Sequence, residues 1–299
     1  MSYGFGNIAE YANADELGQT WFTSFRKVAN STATVTSSYV DYGYYSGTPL
    51  ANFYASTPLE AAYIDETRGI RVPNASPLRQ YLKNITCMTA ASSASNTASR
   101  NQKIMLADYL MYYPFIDTDS TDQQDMVQSV TLPRYSYGHV MAISQSASST
   151  IGQFTMKYTN QNGVANRTSV NTFTQIVSGG GQSLVSNVSG GGFNPFIPLQ
   201  AGDTGVKSIE SVTFTQPGGG LLALVIVKPI QIFFLFEECR TSTTGNIESY
   251  GSATSFESLL MKAGAPEIKN GAVLGLISKC QGGSLASSTL SGYIETVWN

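Results

Sequence analysis

The sequence predicts a mainly β protein. A β-sandwich or jelly-roll-like domain is expected over residues 135–299, after an irregular N-terminal region of short helices and extended segments. Three observations carry this. QFTMKYTN and VKSIESVTFTQ alternate apolar and polar residues, the period-two mark of a half-buried strand. Turn signals such as Asn162-Gly163 and the Gly218–Gly220 run punctuate these stretches at short intervals. Strands do not alternate with long amphipathic helices, as an α/β enzyme would require.

Taken in order, residues 1–40 read as an N-terminal arm or helix. In EYANADELGQTWFTSFRKV, Trp21, Phe22, Phe25 and Val28 fall at helical spacing. Residues 41–134 read as mixed and irregular. The Tyr-, Gly- and Pro-rich stretch from Ser37 to Tyr63 is extended or looping chain. NASPLRQYLKNI is expected as a helix capped by Ser76, with Pro77 at its first position and Leu78, Tyr81, Leu82 and Ile85 on one face. TAASSASNTASRN reads as a small-residue linker.

Beyond residue 135, Phe154, Met156 and Tyr158 share one strand face, and VANRTSVNTFTQIV is a partner strand. SGGGQSLVSNVSGGGFNP is a glycine-rich loop. LLALVIVKPIQIFFLF is too short and too broken by Lys228 and Pro229 to span a membrane, and reads as two buried strands joined at Lys-Pro. AVLGLISKC and GYIETVW supply two more.

Composition narrows the function. Only 12% of the 299 residues are charged, about half the usual ~25%, while Tyr numbers 17. A low-charge, Tyr-rich surface suits extended contact with other proteins. The net charge is −3, and Lys and Arg form no run, so a nucleic-acid partner is not expected. Cys87, Cys239 and Cys280 are far apart and give neither a disulfide framework nor a zinc knuckle. The N-terminus shows no basic and apolar leader pattern, and synthesis in a host cytoplasm is expected.

Candidate chemistry is sparse. Asp117, Asp119 and Asp122 resemble the start of a calcium loop, but the loop glycine is missing and Gln128 stands where a bidentate Glu belongs. They are partial metal candidates beside the simpler reading of a turn with Asp capping a helix, DQQDMVQSV. Glu237 and Glu238 are adjacent and would face opposite sides of a strand. His139, the one histidine, has no GxSxG elbow to serve and reads as a structural donor. The three GGG runs lack the Lys-Ser/Thr of a phosphate loop. The sequons at Asn30, Asn84 and Asn166 carry no weight without a secretory signal. No catalytic residue, cofactor or metal is assigned.

Several long stretches together resemble a family of tailed-bacteriophage virion proteins. They are SGTPLANFYASTPLEA, KIMLADYLMYYPFIDTDSTDQQDM with LPRY, YTNQNGVANRTS and FIPLQAGDTGVKSIESVTFTQPGGGLLALVIVKP. The resemblance runs from about residue 40 to the C-terminal GYIETVW and carries no catalytic set. With the composition, it implies a non-enzymatic capsid decoration or cement protein on the head exterior. Its partners would be the major capsid protein and copies of itself, as a trimer or dimer, with no membrane. The alternatives are a neck, collar or fibre-anchoring protein, a receptor-binding module, or a glycan-degrading enzyme using Asp108, Asp117 or Asp119. Tyr39, Tyr42, Tyr44, Tyr45, Asn52, Phe53 and Tyr54 are the expected interface residues.

Overall fold

The computed structural model describes residues 5, 7–29, 39–90, 102–174, 177, 180–183, 194–235, 239–241, 247–249, 266–280 and 289–299. One α-helix, α1 (Ile8–Glu16), precedes strands β1 (Thr20–Val28), β2 (Tyr39–Asp41), β3 (Ser46–Thr48), β4 (Ala62–Tyr63), β5 (Ile70–Arg71) and β6 (Gln80–Ala90). Next come β7 (Gln102–Asp117), β8 (Gln124–Asp125), β9 (His139–Ser144), β10 (Gln153–Asn160), β11 (Arg167–Thr168), β12 (Thr172–Phe173) and β13 (Gln182–Ser183). The chain ends with β14 (Val206–Gln216), β15 (Leu221–Leu235), β16 (Cys239–Thr241), β17 (Ile247–Ser249), β18 (Glu267–Ile268), β19 (Val273–Cys280) and β20 (Thr289–Trp298).

The protein is mainly β, sandwich-like, with curled antiparallel sheets. The largest has the order β4-β7-β15-β9-β13-β2-β19-β5, and a further β7–β19 pairing closes six of its strands into a ring. Alternation then sorts side chains between the inside and outside of this barrel. Met105, Ala107 and Tyr109 of β7 join Ala223, Val225 and Val227 of β15 in one buried cluster. The even-numbered neighbours face outward. Ile104 and Leu106 pack with Phe25, Ile85 and Ile294 of a flanking sheet, β18-β6-β20-β1-β3. Leu222, Leu224 and Ile226 pack with Phe154, Met156, Val212 and Phe214 of a second flanking sheet, β11-β10-β14-β8. The long strands β7 and β15 therefore serve both flanks. Gly275 of β19 lies against the Tyr109 ring, where an added Cβ would come within 2.2 Å.

The N-terminal half departs from expectation in being mostly sheet: the first helix expected there is the short α1, which ends at Glu16 before the aromatics. β1 takes Trp21, Phe22, Phe25 and Val28 into a strand between β20 and β3, where Phe25 is buried and Phe22 faces out. The helix expected over 74–85 is absent: Ser76-Pro77 is a cis bond and Gln80–Ala90 pairs along β20. A bulge skips Lys83 in that pairing and brings Leu82 and Ile85 onto one face, which imitates helical spacing. Residues 122–130 form β8 and loop, with no helix. Lys228-Pro229 does not split the apolar run, since β15 continues through it with a bulge between Pro229 and Gln231. Pro229 lies just past Val227, the last β15 residue paired with β9, where a missing N–H costs no ladder bond on that side.

The strands β10 and β14 stand where alternation put them, β19 and β20 fall in the two further stretches expected as strands, and the stretch expected to partner β10 supplies only the two short strands β11 and β12. The segments 1–40, 41–134 and 135–299 do not separate the sheets: β1, β6 and β20 share one. Most of the expected linker at 89–101 and of the glycine-rich loop, with Glu237 and Glu238, lies outside the described residues. No helix among the described residues is long and apolar enough to cross a membrane.

Candidate functional site

The expected interface residues gather around one end of the barrel, and most are interior. Tyr39, Tyr42, Tyr45, Tyr54 and Asn52 are buried within the subunit. They are core residues of this chain, a correction to their reading as surface contacts. Tyr44 is half-buried and packs edge-on against Phe53, which alone of the set is well exposed, at 52%.

Their burial has a polar centre. Asp41, at the end of β2, is fully buried and accepts hydrogen bonds from the Tyr54 hydroxyl, the Tyr109 hydroxyl at 2.7 Å and the Gly43 amide at 2.8 Å. Burial pushes its carboxyl above the ordinary range, while these three donors and Lys27 pull the other way. Both tyrosine hydroxyls are pushed well up by burial and by the carboxylate. Lys27 reaches in from β1 and donates to the carbonyls of Tyr45, Pro49 and Leu50 at 3.2, 2.5 and 3.3 Å. Burial lowers it to about 8, against the pull of Asp41. A cavity of about 20 Å³ beside these groups, lined by Lys27, Asn52, Tyr54 and Tyr109, has room for about one water. The arrangement fixes the 42–54 segment to the barrel mouth and offers no space for a substrate.

The other carboxylates are also engaged. Asp108 is fully buried, grips Arg134 through two bonds of 2.8 and 2.7 Å and accepts the Val273 amide at 3.1 Å. Asp117 accepts the Asp119 amide at 2.9 Å, and Asp119 accepts the Gly219 amide at 2.9 Å. They turn the chain, as the simpler reading had it, but cap no helix. Asp122 joins neither bond. Among the described residues no group of three or more His, Cys, Asp and Glu side chains is placed to hold a metal ion. His139 opens β9 and stacks on Phe196 at 4.9 Å, and burial beside Lys228 lowers its pKa. Cys87 is buried, and burial raises its thiol pKa.

What remains is a surface. On the first flanking sheet, cross-strand register places Phe22 and Ser24 of β1 with Tyr293 and Glu295 of β20 and Thr86 of β6 on the outer face. Phe22 is 59% exposed and lies 5.7 Å from the Tyr293 ring. Met88 is 44% exposed further along that face. The helix α1 covers only the opposite end, where Ala14 packs on Tyr81 and Val297. Next to β1 a cleft of about 590 Å³ is lined by Trp21–Ser24 and Arg71–Asn74, which are joined by the Thr23 hydroxyl donating to the Arg71 carbonyl at 2.7 Å, with Trp21 half exposed. Sequence reasoning used these aromatics as a helix face. The signal that could have found them is local: TWFTSF is an uncharged run rich in strand-forming residues.

The fold and this surface define a mainly β protein whose buried carboxylates Asp41 and Asp108 are bonded within the chain, with an exposed apolar patch on one flank. No protein-family model matches the chain, and no curated protein matches it. Among solved structures it has a likeness to the structure of infectious bursal disease virus, Gx strain. The match has 9% identity and a TM-score of 0.15, covering 94% of this chain and 81% of that chain. A likeness at that TM-score carries no argument about fold or function.

Proposed function

We propose that this protein is a structural component of a tailed-bacteriophage virion, a decoration or cement protein that binds the outside of the head and bridges capsomers. The observation that carries the reading is the outward aromatic patch of Phe22, Tyr293 and Met88 beside Trp21, on a chain with only 12% charged residues. Such a patch, rimmed by polar groups, fits protein–protein contact. The sequence resemblance supplies the virion context. The work is binding, spread over many copies, with no turnover. Asp108, Asp117 and Asp119 already hold Arg134 and backbone amides, so no catalytic role is assigned to them. The partners are the major capsid protein and further copies of this chain, without cofactor, nucleic acid or membrane.

The test is stoichiometry. Purified protein is added to expanded heads that lack it, the heads are sedimented, and bound copies are counted per major capsid subunit. Saturation at a number comparable to the capsid protein, with heads more resistant to heat, supports decoration. A few copies at one vertex would move the protein to the neck or fibre base. No binding would remove it from the virion surface.

A further inference from the structure

We infer that the open edge of β1 pairs with the same edge of a second copy of this chain about a twofold axis, joining two five-stranded sheets into one. On one side β1 is fully paired with β20, from Thr20 to Val28. On the other side β3 pairs only with Arg26, Lys27 and Val28. Among the described residues no strand pairs with Thr20–Phe25 on that side, although β5 lies close by and the Thr23 hydroxyl donates to the Arg71 carbonyl at 2.7 Å. An uncovered strand edge presents backbone donors and acceptors that template another strand.

The chemistry of the edge selects its own copy. Protected edges carry Lys, Pro or a bulge. Thr20–Phe25 reads TWFTSF, without charge or proline, and its pairing with β20 has no register shift. An antiparallel edge is complementary to itself across a twofold axis. The charges flanking the cleft are also self-complementary: Arg71 and Glu66 stand 3.4 Å apart as one ion pair, so each copy offers both signs to the other. The cleft of about 590 Å³ beside Trp21–Ser24 leaves the edge approachable.

Parity limits the register. Two sheets continue with their inner faces on the same side only if paired positions differ by an even number. Pairing must also stay within Thr20–Phe25, because β3 occupies the rest. Phe22 then faces Thr20, Phe22 or Ser24 of the second copy, on the outer face. The inference rests on the assembly reading only for self-association, and it names the contact that makes it.

Sedimentation velocity on the full chain, from micromolar to millimolar concentration, tests this with Phe22→Lys and Phe22→Glu. Phe22 is exposed, so both variants are expected to fold. Should either melt early, Ser24→Lys and Ser24→Glu replace them on the same exposed face. Wild type is expected to dimerise with rising concentration. Each variant alone should weaken the dimer at least about tenfold, because two like charges then meet across the twofold axis, directly opposite or as diagonal neighbours. An equimolar mixture of the two should recover it. A wild type that stays monomeric throughout overturns the inference, and leaves the edge to a partner of another kind. So does a Phe22→Lys protein that dimerises like wild type, or a mixture that recovers nothing. The head-binding count keeps the readings apart: wild type that decorates heads yet remains monomeric in solution sinks the edge pairing alone.

Discussion

On one flank of the barrel, side chains converge on Asp203. Tyr158 donates to it at 2.6 Å, Asn160 at 2.7 Å and Arg167 at 2.9 Å, and the Tyr158 oxygen in turn accepts the Gln200 amide. On the other flank, Phe22, Met88 and Tyr293 face outward, and Trp21 is half exposed beside the cleft. Within that flank, buried atoms of Gln80, Tyr81, Asn84 and Thr296 have no protein hydrogen-bond partner. Both sheets bury one face against the same barrel through the same two long strands. They differ in whether their remaining groups are satisfied inside the chain. The second sheet closes its own hydrogen bonds. The first leaves apolar area on its surface, which fits a flank completed by contact with another molecule.

Breaking the barrel itself should cost most. Arg134→Ala leaves Asp108 buried without its cation, and urea unfolding should register a loss of about 3–5 kcal/mol. A loss under ~1 kcal/mol would mean that Asp108 is not the pin described. Next, Tyr54→Phe removes one donor to Asp41, at an expected cost of about 1–3 kcal/mol in the same assay. The flanks should then separate. Tyr158→Phe breaks the Asp203 cluster and should lower stability by about 1 kcal/mol or more. Phe22→Ser should stay within about 0.5 kcal/mol of wild type. If Phe22→Ser proved the more damaging, the first sheet would be no contact flank but part of the core.

A further effect is a pH slope. Lys27 sits at about 8 in the folded protein, against an ordinary 10.5. Between those values the unfolded chain holds a proton that the folded chain has released, so the Lys27 contribution to stability rises with pH. The difference in unfolding free energy between wild type and Lys27→Met should therefore climb from pH 8 to about pH 9.5. A flat difference would mean that the amine is not desolvated.

Half-buried strands were legible in the sequence because their faces differ. β10 and β14 alternate and stand where that pattern put them. The strand β7 was not, because nearly every residue from Gln102 to Ile116 is buried on one face or the other and no period survives. The Lys83 bulge hid β6 as a helix. Closure of the barrel through β7 and β19 joins residues about 170 positions apart, which no local pattern encodes. At the site, most tyrosines suited to surfaces turned out to be core: Tyr54 joins Tyr109 in donating to the buried Asp41, and Tyr42 donates to Gln102. Composition gave the propensity for contact, and only the fold says which aromatics remain outside.

The most direct measurement is hydrogen exchange on the protein free and bound to heads. Backbone amides of Thr20–Phe25 and of β20 near Tyr293 should exchange more slowly on the particle, while β10 and β14 keep their free rates. Slowing confined to β10 and β14, or none anywhere on a bound protein, would contradict the assignment of the first flanking sheet as the assembly surface.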